Sequence, residues 1–107
     1  MARTPDEAVL IAERAVQTLD QEIPVSAAYL FGSYAEGTPH AGSDIDLAVF
    51  TPDESRLQID EKARLQLGLQ RRCAVDLELH LYPARALATA RRSNFYGYLL
   101  EHGRRLR

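Results

Sequence analysis

The chain has 107 residues, the size of one domain, with 46% hydrophobic and 26% charged residues, a balance that excludes a disordered or fibrous protein. Its longest apolar runs, Ala8–Ala12 and Ala27–Phe31, fall far short of the ~18 residues a membrane span needs, and the lone Cys73 excludes a disulfide framework and a cysteine-built zinc site. A net charge of −2 leaves no basic footprint for duplex DNA, and the start Met-Ala-Arg-Thr-Pro-Asp-Glu, with no apolar run at its head, predicts no secretory leader and a cytoplasmic protein.

The tetrapeptide Thr-Pro-Asp-Glu occurs at Thr4–Glu7 and again at Thr51–Glu54. Each reads as a helix start: Thr as N-cap, Pro at the first helical position, and Glu three residues after the cap to close a capping box. The first helix is predicted to run to about Asp20, with Ala8, Ala12, Ala15, Val16 and Leu19 on one face. The second is predicted over about Asp53–Arg72, with Ile59, Ala63 and Leu67 at helical spacing, although Leu65, Leu67 and Leu69 alternate and Gly68 disfavours a helix. Strands are predicted at Val25–Phe31, Asp44–Phe50 and Ala74–Leu81. The last alternates strictly, placing Val75, Leu77, Leu79 and Leu81 on one face and Asp76, Glu78 and His80 on the other. After Pro83 come one or two short helices, broken near Ser93–Asn94 and ended by Gly103, and a tail at Arg104–Arg107 that is either a strand or frayed. Residues 83–107 hold six Arg against Glu101, a charge of +5, which leaves −7 for the first 82. The order of elements predicts one α+β domain over residues 1–107, a small mixed β-sheet flanked by helices.

The informative stretch is Phe31-Gly32-Ser33-Tyr34-Ala35-Glu36-Gly37, followed by Gly42-Ser43-Asp44-Ile45-Asp46-Leu47. Asp44 and Asp46, two apart on a strand, project from one face roughly 7 Å apart at Cα. Two carboxylates this close repel unless a cation lies between them, and their hard oxygens suit Mg²⁺. Gly32-Ser33 stands where a strand gives way to a short helical turn, whose first N–H groups lack partners and favour an anion. Gly32 lets the backbone approach a phosphate, and the Ser33 hydroxyl is a donor to it. An anion cradle joined to a cation site by a ten-residue return fits a nucleoside triphosphate with its metal. His40, Glu78, His80, Arg71, Arg72 and Cys73 read better as surface, rim, helix-end or packing residues. Phe95, Tyr96 and Tyr98 read as core or partner contacts.

Gly32-Ser33, ten residues, then Asp44-x-Asp46 resembles the signature of the polymerase-beta-like nucleotidyltransferase superfamily. The Ser43-Asp44-Ile45-Asp46-Leu47 block in a short chain is similar to the minimal nucleotidyltransferases, many of them paired as antitoxins with HEPN-domain toxins. The resemblance covers residues 25–80 and implies the nucleotidyltransferase fold. It implies a third carboxylate on the strand after the intervening helix, and Asp76 in Val75-Asp76-Leu77 occupies that place. It further implies Asp44, Asp46 and Asp76 as catalytic residues and ligands of two Mg²⁺ ions, with Gly32, Ser33 and Ser43 binding the nucleotide. The implied reaction moves AMP from ATP to a hydroxyl, and with no further domain for an acceptor in this stretch, that acceptor comes from a partner, a tyrosine of a HEPN toxin. Glu36 departs from the family, where its position is often basic; it is expected to face solvent. A non-catalytic antitoxin that neutralises its partner by complex formation is the other reading, and the presence of all three carboxylates favours catalysis over it.

Overall fold

The computed structural model describes residues 3–107; Met1 and Ala2, on which the reading of the N-terminal start partly rests, lie outside the described residues. Helix α1 spans Pro5–Asp20 and opens on the predicted capping box, the Thr4 hydroxyl accepting from the Glu7 N–H and the Glu7 carboxylate from the Thr4 N–H. Its buried stripe is Ala8, Val9, Ala12, Ala15, Val16 and Leu19, small enough to let the helix lie close on the sheet. Strand β1 (Ala27–Phe31), the single-turn helix α2 (Ser33–Glu36) and strand β2 (Ile45–Thr51) follow. Helix α3 (Ile59–Arg72) crosses back to strand β3 (Leu77–Pro83), and a 3₁₀ stretch over Ala84–Thr89 leads to α4 (Phe95–His102) and β4 (Arg104–Arg105).

The sheet has the order β3-β2-β1-β4, with β2 and β3 parallel and the pairs β1–β2 and β1–β4 antiparallel. It is therefore the expected mixed sheet. The alternation of side chains sends Leu30, Ile45, Leu47, Val49 and Leu77 to one face, against α1 and α3, with Leu79 and Leu81 partly buried beside them. Ala27, Tyr29, Ala48 and Phe50 face the other way, against Leu99 of α4, Tyr82 and Tyr96. Tyr82, Phe50, Phe95 and Tyr96 meet with ring centroids 5.5–6.0 Å apart, mostly edge to face or tilted. The tail after Gly103 is a strand rather than a frayed end, since Leu106 and Arg107 donate backbone N–H groups to Ala28 O and Arg107 O accepts from Ala28 N–H.

The second Thr-Pro-Asp-Glu does not start a helix. Thr51 is the fully buried last residue of β2, and its hydroxyl accepts from the Asp53 N–H, leaving a single 3₁₀ turn at Glu54–Arg56. Helix α3 begins later, where Gln58 and Glu61 supply the capping box. Its predicted face is also reversed: Leu65 and Leu69 are buried, while Ile59 is 87% exposed and Leu67 52% exposed. The third strand likewise starts at Leu77, and Val75, predicted to share a strand face with Leu77, Leu79 and Leu81, is 81% exposed in the turn before it.

The outer edge of β3 is closed by glutamine side chains of α3. The Gln66 amide donates to Leu77 O at 2.8 Å and accepts from Leu79 N–H at 2.6 Å, the same donor–acceptor pair a neighbouring strand would present, and Gln70 adds a bond to Leu77 O at 3.2 Å. Open edges template pairing with other chains. Gln66→Leu is therefore expected to lose about 1–3 kcal/mol, from backbone groups stripped of their partners, and to self-associate. Sedimentation velocity across a concentration series checks this; a variant whose mean mass matches the wild type at every concentration counts against it.

Candidate active site

Gly32 turns the chain out of β1 with φ 79°, ψ −157°, a conformation open to glycine, and its carbonyl accepts the first bonds of α2, from Ala35 and Glu36 N–H at 3.1 Å. A β-carbon on Gly32 would lie 2.5 Å from Asp46 Oδ2, so the backbone of the turn rests directly against that carboxylate. Gly37, in the left-handed region at φ 76°, stops the helix after one turn. The return loop is tied back to the turn by Ser43, which is buried: its hydroxyl accepts from Ser33 Oγ at 2.8 Å and from the His40 N–H at 2.8 Å. Ser43 thus scaffolds Ser33, and exposed His40 shapes the loop, its Nδ1 accepting from the Gly42 N–H.

Register explains what lies beside Asp46. It sits opposite Phe31 on β1 and abreast of Glu78 on β3, and the side chain of His80, two residues on, reaches back to it. His80 Nε2 lies 3.4 Å from Asp46 Oδ1 and 4.0 Å from Glu78 Oε1, with the Phe31 ring 5.1 Å away by centroid. The hydrogen bond to Asp46 raises the His80 pKa above its ordinary value, burial opposes it, and the charges of Glu78 and Asp46 add to the rise. Among the described residues, the group of metal-ligating side chains whose ligand atoms fall within 4.8 Å of one another is Asp46, Glu78 and His80. The carboxylates expected to act as one set, Asp44, Asp46 and Asp76, are not brought together in this way. Asp44 is exposed at the mouth of β2, and Asp76 precedes β3 in a turn, where its backbone carbonyl accepts from Ile45 N–H. Asp76 instead pairs with the Arg3 guanidinium, while its second oxygen, Oδ1, is buried with no hydrogen-bond partner. Asp44 and Asp76 do line one open hollow of about 420 Å³, together with Glu78, Gln66 and Gln70.

Two contacts escaped the sequence. Glu36, expected to face solvent, is exposed but accepts a hydrogen bond from Tyr98 Oη at 2.5 Å, which joins α4 to α2 and raises the Tyr98 pKa. Glu78 and His80, expected at the rim, lie against Asp46 because the pairing of β2 with β3 is parallel and in that register. Alternation alone put them on one face with each other; nothing local to either strand fixes which residue of its neighbour they meet.

The polymerase beta nucleotidyltransferase family matches residues 13–91, and the chain belongs to it. It is 37% identical over 75 residues to the protein adenylyltransferase MntA of Shewanella oneidensis, an alignment that takes in 69% of this chain and 51% of that protein. The chain thus spans about half the length of that relative. Two solved structures are similar at 29% and 25% identity. One is a toxin–antitoxin with AMP-PNP, TM-score 0.59; the other is a MntA–HpeT toxin–antitoxin variant with two Asp→Glu substitutions, TM-score 0.57. Each likeness covers 89% of this chain and 72% of the matched one.

Proposed function

We propose that the chain is the catalytic antitoxin of a toxin–antitoxin pair, transferring AMP from ATP to a hydroxyl of its partner, a tyrosine of a HEPN-type toxin. The observation that carries this reading is the contact of the Gly32 turn with Asp46, which would set a triphosphate bound at the turn against a metal-binding carboxylate. The relative named as a protein adenylyltransferase supports the reaction class, and the neighbouring toxin–antitoxin structures support a toxin as the acceptor.

The site suits Mg²⁺ by its donor set: Asp44, Asp46, Glu78 and Asp76 are hard oxygen donors, and the unpartnered Oδ1 of Asp76 is an oxygen in want of a cation. Asp44, Asp46 and Asp76 would hold the ions. Bound Mg²⁺ would neutralise the phosphate oxygens and ease attack at the α-phosphorus. The chain's own residues do the rest. Gly32 gives the triphosphate close approach to the backbone, and the N–H groups opening α2 offer donors to the leaving pyrophosphate. Ser33 and Ser43, already bonded to each other, would orient its oxygens. Asp76 would help remove the proton of the attacking tyrosine, whose ordinary pKa near 10 makes proton removal part of the reaction. His80 fixes one oxygen of Asp46 and Gly32 packs on the other, so that carboxylate is held before any ligand arrives.

The partner surface would include the basic C-terminal quarter, where Phe95 and Tyr98 are both more than two-fifths exposed. Aromatic and Arg side chains are the types that anchor interfaces. The test is mass spectrometry of a co-expressed HEPN-type partner: a gain of one adenylate per modified tyrosine is expected with the wild type and none with Asp76→Asn. A wild-type chain that neutralises the partner without ever modifying it would favour neutralisation by complex formation and refute catalysis.

A further inference from the structure

Resting on the proposed reaction, we infer that Arg3 is the resident counter-cation of Asp76, a latch whose charge opposes the binding of a divalent metal. Arg3 makes two contacts that reach both sides of the site. Its backbone N–H donates to Tyr34 Oη at 3.2 Å, and its guanidinium Nη1 pairs with Asp76 Oδ2. Tyr34 is buried in α2 next to Ser33, and Asp76 lies at the entry to β3, so the arm before α1 spans from the turn proposed for phosphate to the proposed third carboxylate. The capping box begins at Thr4, which fixes the arm's root immediately after Arg3.

Charge gives the pairing its sense. The other side chains lining the hollow beside Asp76 are acidic (Asp44, Glu78), neutral (Gln66, Gln70) or apolar, and among the described residues Arg3 is the cation that pairs with Asp76. Both partners are only partly exposed, at 31% and 28% of their side chains, so solvent screens the pair less than it would on an open surface. Asp76 shares its hollow with two other acids, and Arg3 supplies the positive neighbour there. A divalent cation arriving at Oδ1 of the same carboxylate is repelled by the guanidinium held on Oδ2, so the two cations oppose each other across one carboxylate. Metal binding and release of the Arg3 arm are then coupled, and a coupling between two cations for one carboxylate is reciprocal.

The experiment titrates Mg²⁺ into the full chain without nucleotide, by calorimetry, for the wild type, Arg3→Ala, Arg3→Lys and Tyr34→Phe, with melting curves in EDTA and in Mg²⁺. Arg3→Ala is expected to bind Mg²⁺ at least about fivefold tighter than the wild type. It should melt lower in EDTA, where Asp76 has lost its partner, and rise further on adding Mg²⁺. Arg3→Lys, which keeps the charge, is expected to restore wild-type affinity, and Tyr34→Phe, which frees the arm's other anchor, to tighten binding in the same direction as Arg3→Ala. Equal or weaker Mg²⁺ binding by Arg3→Ala overturns the latch, and so does a wild type that binds no Mg²⁺ under any of these conditions. Failure of the transfer reading looks different: the Mg²⁺ affinities would shift as expected while no protein acceptor is ever labelled.

Discussion

Asp44→Ala is expected to cut AMP transfer at least about 100-fold while leaving the melting temperature of the metal-free chain unchanged or slightly raised. Asp44 is exposed just ahead of β2 and shares its hollow with Asp76 and Glu78. Removing one of several neighbouring acids relieves repulsion rather than breaking a contact, and exposed substitutions of this sort stay within about 0.5 kcal/mol. Loss of a proposed metal ligand at the reacting phosphate acts only in the transition state, so the two readouts separate. Radiolabelled ATP with the co-expressed partner measures the first, and a thermal melt in EDTA measures the second. Transfer within threefold of the wild type would remove Asp44 from the machinery; unfolding would give it a structural purpose instead.

Gly32→Ala should be the most damaging single change in the turn. The backbone there is at φ 79°, ψ −157°, and occupying such a conformation costs a non-glycine residue about 1–3 kcal/mol. The added methyl also meets Asp46 Oδ2 at 2.5 Å, closer than carbon and oxygen tolerate, so the carboxylate must swing and its contact with His80 is lost. Gly37→Ala is the control, since Gly37 has a similar φ of 76° but open space around its Cβ position. Both variants should lose stability to urea, whereas only Gly32→Ala should lose the rise in melting temperature expected of the wild type with ATP and Mg²⁺. If both variants keep that rise, the turn does not hold the nucleotide.

Where local signals agreed with tertiary context, the sequence was legible. The Thr4–Glu7 box starts α1, and Asn94 and Gly103 bound α4, because each works through bonds to its own neighbours. The same Thr-Pro-Asp-Glu at Thr51 failed because sheet pairing with Pro83 claimed Thr51 first. Spacing misled at Ile59, Ala63 and Leu67, a helical series on the exposed side of α3, while Leu65 and Leu69 went inward. For the site, the Gly32-Ser33 turn and Asp46 could be found by reading along the chain, since one hairpin contains them. Glu78 and His80 could not be matched to Asp46, nor Arg3 to Asp76, because those partners meet across strand register and across 73 residues of chain.

The placement of the turn and of the first two carboxylates within residues 27–51 bears on how the protein breathes. Gly32, Ser33, Ser43, Asp44 and Asp46 all belong to the β1–β2 hairpin and its connection, so their alignment requires closing only a short loop. The β4 edge is different: it pairs Arg104 and Arg105 with Leu30 and Tyr29, and Leu106 and Arg107 with Ala28, contacts between residues far apart in the chain for a short ladder. Such an edge is the low-stability end of a native ensemble, first to exchange its amide protons and last to order in folding. The hairpin keeps its own β1–β2 register and its pairing with β3 while that happens. Sub-global opening on the β4 side can thus proceed with the phosphate turn and Asp46 still in line.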